Sequence, residues 1–117
     1  LVWLDIPVLD LDRAIAFYQA VLDWTLDDQR PHAQMAVFRH SKGAVAAALI
    51  QQTSAPGGVG PLPYFNCHGR LALALEQVER CGGRIEQNIH PLTPFGHRAV
   101  IRDSEGNRVA LHSMAVN

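Results

Sequence analysis

The chain has 117 residues, 48% of them hydrophobic and 18% charged, with a formal net charge of -1. That length suits one domain, 1–117, with a sizeable core, and not two independent ones. A balance so close to neutral gives nucleic acid or an anionic membrane no electrostatic hold, and no apolar run approaches the ~20 residues that span a bilayer.

Leu1–Val8 is apolar and β-prone, interrupted by Asp5 and Pro7. Proline donates no amide to a ladder, so this strand ends at Pro7 or runs along a sheet edge. The chain opens at Leu1 and not at methionine, which leaves room for a short segment ahead of it; no basic-then-apolar leader is expected. Asp10 stands where a helix N-cap belongs. Behind it Leu11, Ala14, Ile15, Tyr18, Val21 and Leu22 recur at three- and four-residue steps, which predicts an amphipathic helix near 10–23.

Thr25–Arg30 is a weak strand closed by Pro31, Gln34–Arg39 a firmer one, and Ser41–Gly43 a tight turn. Ala44–Gln52 is apolar and alanine-rich; its length and flanking turn favour a strand, its alanines a helix. Thr53–Pro61, rich in Gly and Pro, reads as a linker. The strand–turn–helix pattern then repeats. Pro63–Cys67 is a short strand, Leu71, Ala74, Leu75 and Val78 form a second helical stripe near 70–81, and Cys81-Gly82-Gly83 ends it. Arg84–Ile89 and His97–Arg102 follow as strands around a proline-bounded loop, His90–Gly96. Asp103–Asn107 is a hairpin turn, and Arg108–His112 closes the chain's regular structure. Strands following a single helix in each half indicate α+β. Two cysteines, Cys67 and Cys81, are too few for a disulfide framework and read as reduced thiols of a cytoplasmic protein.

The run Asp10-Leu-Asp-Arg-Ala-Ile-Ala-Phe-Tyr18 after a strand, together with Asp103-Ser-Glu-Gly-Asn107 before the last one, resembles the vicinal oxygen chelate superfamily. Glyoxalase I, bleomycin-resistance proteins and extradiol dioxygenases belong to it. The resemblance covers essentially the whole chain. It implies paired βαβββ modules, about 1–52 and 62–114 with linker 53–61, whose curled, mainly antiparallel sheets surround a cleft, usually in a homodimer.

Metal-dependent members take His, Gln or Glu ligands from four strands. Carried over by motif, the first falls on Trp3, seven residues before the Asp10 cap, and the last on Ala110, seven after Asp103. The third falls on Leu62, or on Pro63 if the register slips by one. The second lies within Ala44–Ile50, which holds no polar side chain. Such residues offer a metal no lone pair, so the expectation is an erased site, with no metal and no cofactor.

Strand alternation shows what else would share that cleft. Asp5 goes with Trp3, Tyr64 and Asn66 with Leu62, and Arg108 and His112 with Ala110. Asp5 and His112 are thus the candidate catalytic pair for acid–base work, against the plainer reading of two solvated residues at strand ends. Trp3 would offer a flat wall for stacking. His97 is a further ligand-binding candidate whose facing the sequence leaves open. His32, His40 and His68 belong to turns, and Phe17, Tyr18 and Trp24 to the core. The leading functional expectation is a metal-free small-molecule binder with an apolar, aromatic-walled cleft. A glyoxalase-related enzyme using Asp5 and His112, or an unplaced metal, is the first alternative, and a scaffold domain without ligand the second.

Overall fold

The computed structural model of the chain describes residues 3–39, 46–52 and 61–115. The first half runs β1 (Trp3–Val8), α1 (Leu11–Leu22), β2 (Leu26–Asp28), β3 (Met35–Phe38) and β4 (Ala46–Gln51). The second repeats it with β5 (Tyr64–Asn66), α2 (Leu71–Arg80), β6 (Arg84–Pro91), β7 (His97–Arg102) and β8 (Arg108–Ser113). The result is α+β: two separate four-stranded sheets, ordered β1-β4-β3-β2 and β5-β8-β7-β6. In each sheet the strand before the helix pairs in parallel with the last strand of its module, and the other two ladders are antiparallel.

The helices form where the pattern places them. The Asp10 carboxylate accepts from the amide of Arg13 at 3.0 Å, and the Leu11, Ala14, Tyr18, Val21 and Leu22 stripe is buried. β1 lies at a sheet edge, as Pro7 requires. The alanine-rich run is a strand, since β4 is clasped between β1 and β3 and pairing on both sides outweighs the helical preference of alanine. Sequence boundaries fail chiefly at β6. It continues past Ile89 to Pro91, with two register irregularities, so His90 belongs to a strand and the proline loop is shorter than expected. The expected turn Ser41–Gly43, and the linker 53–61 apart from Pro61, lie outside the described residues.

Both sheets turn their buried faces into one core. Phe38 of β3 meets Phe65 of β5 at 5.6 Å between ring centroids, and Tyr18 of α1 lies 5.5 Å from Phe65. Where α2 ends against α1, a Cβ on Gly83 would come within 2.6 Å of both the Phe17 ring and the Arg102 carbonyl, so only glycine fits there.

The turn between β7 and β8 fastens the halves together. Asp103 accepts the Tyr18 hydroxyl at 2.7 Å and the backbone amides of Glu105 and Asn107 at 2.8 Å. Asn107 in turn donates to the carbonyl of Pro7. The Glu105 carboxylate, whose side chain is wholly buried, accepts the amides of Leu9 and Asp10 and a two-pronged contact from Arg13. Burial alone would push the Glu105 carboxyl up. Arg13, the Asp10 and Leu9 amides and the Ser104 hydroxyl together outweigh it and hold the group at about 2, against an ordinary 4.5. Burial, and then the Asp103 carboxylate, push the Tyr18 phenol well above its usual range.

Because Glu105 titrates lower in the fold than in the unfolded chain, its contribution is complete above about pH 4.5 and disappears as pH falls towards 2. Arg13 is half exposed, so screening trims the effect to about 2 kcal/mol. Chemical denaturation of Glu105→Gln should therefore show a flatter stability–pH curve than the parent in that window. Tyr18→Phe, which leaves Asp103 one donor short, should cost about 1–3 kcal/mol at neutral pH. A melting temperature unchanged from the parent would refute the second expectation.

Candidate functional site

Alternation in the second sheet sends Phe65, Ala99, Ile101, Val109 and Leu111 into the core. The opposite face is therefore built from Tyr64, Asn66, Arg98, Val100, Arg102, and Arg108, Ala110 and His112. Ladder register sets them side by side: Arg98 opposes His112, and Asn66 lies beside His112 on its other flank. On the first sheet Ile6 and Val8 enter the core, which leaves Trp3, Asp5 and Pro7 on that sheet's open face.

A cleft of 430 Å³ opens over the second sheet, lined by Tyr64, Phe65, Asn66, Leu92, Phe95 and His112. Phe95, 70% exposed, projects from the loop after β6. That loop is held in two ways. The His112 Nε2 contacts the Phe95 carbonyl at 2.5 Å, and the Leu92 amide donates to the Gly96 carbonyl at 2.7 Å. A carbonyl only accepts, so His112 carries its proton on Nε2 and, when neutral, presents the Nδ1 lone pair. Tyr64 stands edge-on to the His112 ring at 6.3 Å between centroids.

The arginines of this face have different partners. Arg102 and Arg108 converge on Glu86 at 2.9 and 3.1 Å, and Arg102 first, then Arg108, hold that carboxyl below the usual range. Arg98 instead donates from Nε to His90 Nε2 at 3.0 Å and from Nη1 to the Tyr64 hydroxyl, while its guanidinium lies 5.8 Å from the Tyr64 ring centroid. His90 must accept there, and its Nδ1 donates to the Asn88 carbonyl at 2.8 Å, so it is the neutral Nδ1–H tautomer.

The sequence candidates separate into groups. Tyr64, Asn66 and His112 share the 430 Å³ cleft. Asp5 and Arg108 line a second hollow, of 340 Å³, between β1 and the start of β8. Trp3 donates from Nε1 to Asp5 at 2.5 Å, and among the described residues no contact joins Asp5 to His112. His97 lies in line with Ala99 and Ile101, on the side of the core, and its buried Nδ1 has no partner among the described residues. Arg98, His90, Leu92 and Phe95 escaped sequence reasoning. The available signal for Arg98 was alternation with Val100 and Arg102 in β7; for His90 it was hidden by the bulges that carry β6 further than its pattern suggests.

The model of the Glyoxalase/Bleomycin resistance protein/Dioxygenase superfamily matches residues 1–111. The chain belongs to that superfamily. Its fold recurs in a glyoxalase/bleomycin resistance protein/dioxygenase family enzyme from Burkholderia phytofirmans PsJN, at 15% identity, TM-score 0.77 and 97% coverage of both chains. The fosfomycin resistance protein FosX from Listeria monocytogenes is similar at 14% identity and TM-score 0.72, over 99% of this chain and 93% of that one. A glyoxalase/bleomycin resistance protein from Albidiferax ferrireducens T118 follows at 16% identity and TM-score 0.74, over 97% of both chains. No curated protein matches the sequence.

The metal that the superfamily implies does not suit the side chains at the carried-over positions. Trp3 is hydrogen-bonded to Asp5, Ala110 is buried, and the residue that pairs with Ala110 across the β5–β8 ladder is Tyr64. Among the described residues no three His, Cys, Asp or Glu side chains group as a metal site.

Gly96 sets the position of Phe95. Its φ is +89°, and a Cβ there would come within 2.5 Å of the Ser113 carbonyl. Gly96→Ala should therefore displace the loop and destabilise the fold by about 1–3 kcal/mol. Thermal melts, together with the amide NMR resonances of Leu92, Phe95 and His112, will read both effects.

Proposed function

We propose that this superfamily member is a metal-free protein that binds a small organic molecule in the cleft above the second sheet. The observation that carries the reading is the exposed Phe95 ring, held by the His112 contact to its carbonyl, over a floor of Tyr64, Asn66 and His112. One wall is apolar and aromatic while the floor carries a few directional polar groups, the composition of a ligand pocket. The donor-poor carried-over positions support the metal-free part. The superfamily's glyoxalase and ring-cleaving chemistry relies on a metal, so binding is favoured over catalysis for this chain.

A homodimer of one-domain chains is part of the same proposal. β1 and β2 are edges of one sheet and β5 and β6 of the other, and Trp3, Tyr64, Phe95 and Met114 are large apolar side chains left exposed. Free thiols at Cys67 and Cys81 support a cytoplasmic setting; burial pushes the Cys67 thiol up to about 11, which keeps it unreactive. No helix among the described residues is long and apolar enough to cross a membrane.

Titration with benzyl alcohol, a neutral aromatic probe, should shift the amide resonances of Tyr64, Asn66, Phe95 and His112, and Phe95→Ala should weaken that binding about tenfold. No shift at those residues would sink the cleft assignment. Elemental analysis of dialysed protein without a histidine tag should find nickel, zinc, iron and manganese far below one equivalent per chain. Sedimentation at tens of micromolar protein should show a dimer, since even a Kd of about 1 μM leaves most chains paired there; monomer alone would remove that element.

A further inference from the structure

We infer that the ligand of this cleft is an organic monocarboxylate, its carboxylate held by Arg98 and its apolar portion resting on Phe95 and Leu92. This rests on the cleft reading above and names the ligand class. Arg98 is half-buried, and among the described residues it has no carboxylate partner: it touches a neutral histidine and a phenol. Its neighbours on the same face, Arg102 and Arg108, are both turned to a carboxylate, the one they share on Glu86. A guanidinium held by neutral groups at the edge of a cleft keeps its charge for something that arrives from solvent.

The donors left over point the same way. With Nε and one Nη1 hydrogen engaged, the second Nη1 hydrogen and both on Nη2 remain. The Tyr64 hydroxyl accepts from Arg98, so its own proton is free to be donated. Asn66 uses Oδ1 to accept the His68 amide at 2.9 Å, which leaves its NH2 without a partner among the described residues. Against these donors, His112 when neutral presents one lone pair, at Nδ1. A donor-rich floor beside one guanidinium that contacts no carboxylate among the described residues matches a ligand rich in acceptors and carrying one negative charge. A dianion such as a phosphate ester would need a second cation beside Arg98, and neither Arg102 nor Arg108 lines this cleft: both reach to Glu86, and Arg108 lines the second hollow. The exposed Phe95 ring and Leu92 supply the apolar wall that inorganic anions would not use.

The test compares matched acids and amides on the intact protein: benzoate, phenylacetate and isovalerate against benzamide, phenylacetamide and isovaleramide, with inorganic phosphate as the simple-ion control. NMR titration should show the acids shifting Tyr64, Arg98 and His112 amides with affinities about tenfold or more above their amides. Arg98→Gln should remove that preference while leaving benzyl alcohol binding in place, and Arg98→Lys should retain part of it. Melting curves of both variants establish that they are folded. Acids and amides binding alike, or phosphate competing as well as the acids, overturns the carboxylate assignment and leaves the cleft reading standing. No perturbation of the cleft by any probe, benzyl alcohol included, overturns both.

Discussion

The Asp103–Asn107 turn is the constraint on which the rest of the molecule depends. Two carboxylates, Asp103 and Glu105, are taken out of water there, and each is answered by several donors. A buried carboxylate missing a donor is costly, so the donors specify one mutual placement. Those donors come from the start of α1, from Tyr18 within it, and from the turn's own backbone. The turn of the second module thereby fixes where the first module's strand and helix lie. Hydrophobic contact between Phe38 and Phe65 supplies attraction; the turn supplies register.

Charge is distributed with the same economy on the open face of the second sheet. Glu86 gathers Arg102 and Arg108, with Arg84 a little further off at 3.9 Å. Arg98, one pleat along β7 from Val100, sits outside that cluster, against His90 and Tyr64. The His112 tether to Phe95 then determines what lies above it, because a loop with a positive-φ glycine is drawn onto the sheet beside the same strands. Ladder pairing between β7 and β8 sets Arg98 beside His112, and the loop that leads into β7 brings Phe95 onto the same histidine. The cleft is thus a product of pairing and of one loop, and the helices take no part in lining it.

Much of the fold was legible because local physics and tertiary need agree. The Asp10 cap, the α1 stripe and the glycine-terminated α2 carry their signals within a dozen residues, and Pro7 correctly marks an edge. The ambiguous alanine-rich run was decided by neighbours: β4 has partners on both sides, a fact no window of sequence contains. His90 was hidden because two irregularities in β6 break the alternation from which facing is read. Facing within a strand was legible, as Trp3 with Asp5 and Tyr64 with Asn66 show, but convergence between strands was not. Asp5 and His112 each lie on the open face of a sheet, and the two line different hollows.

The sequence by itself determined the superfamily and the repeated strand–helix–strand order, because each depends on residue identity and short spacing. The tertiary structure alone decided which polar side chains meet. His90 and Arg98 face each other across the β6–β7 hairpin, but Tyr64 is remote in sequence and reaches Arg98 only through the β5–β8 and β8–β7 ladders. Pairing register is set by the packing of whole sheets against a shared core, and no local pattern encodes it.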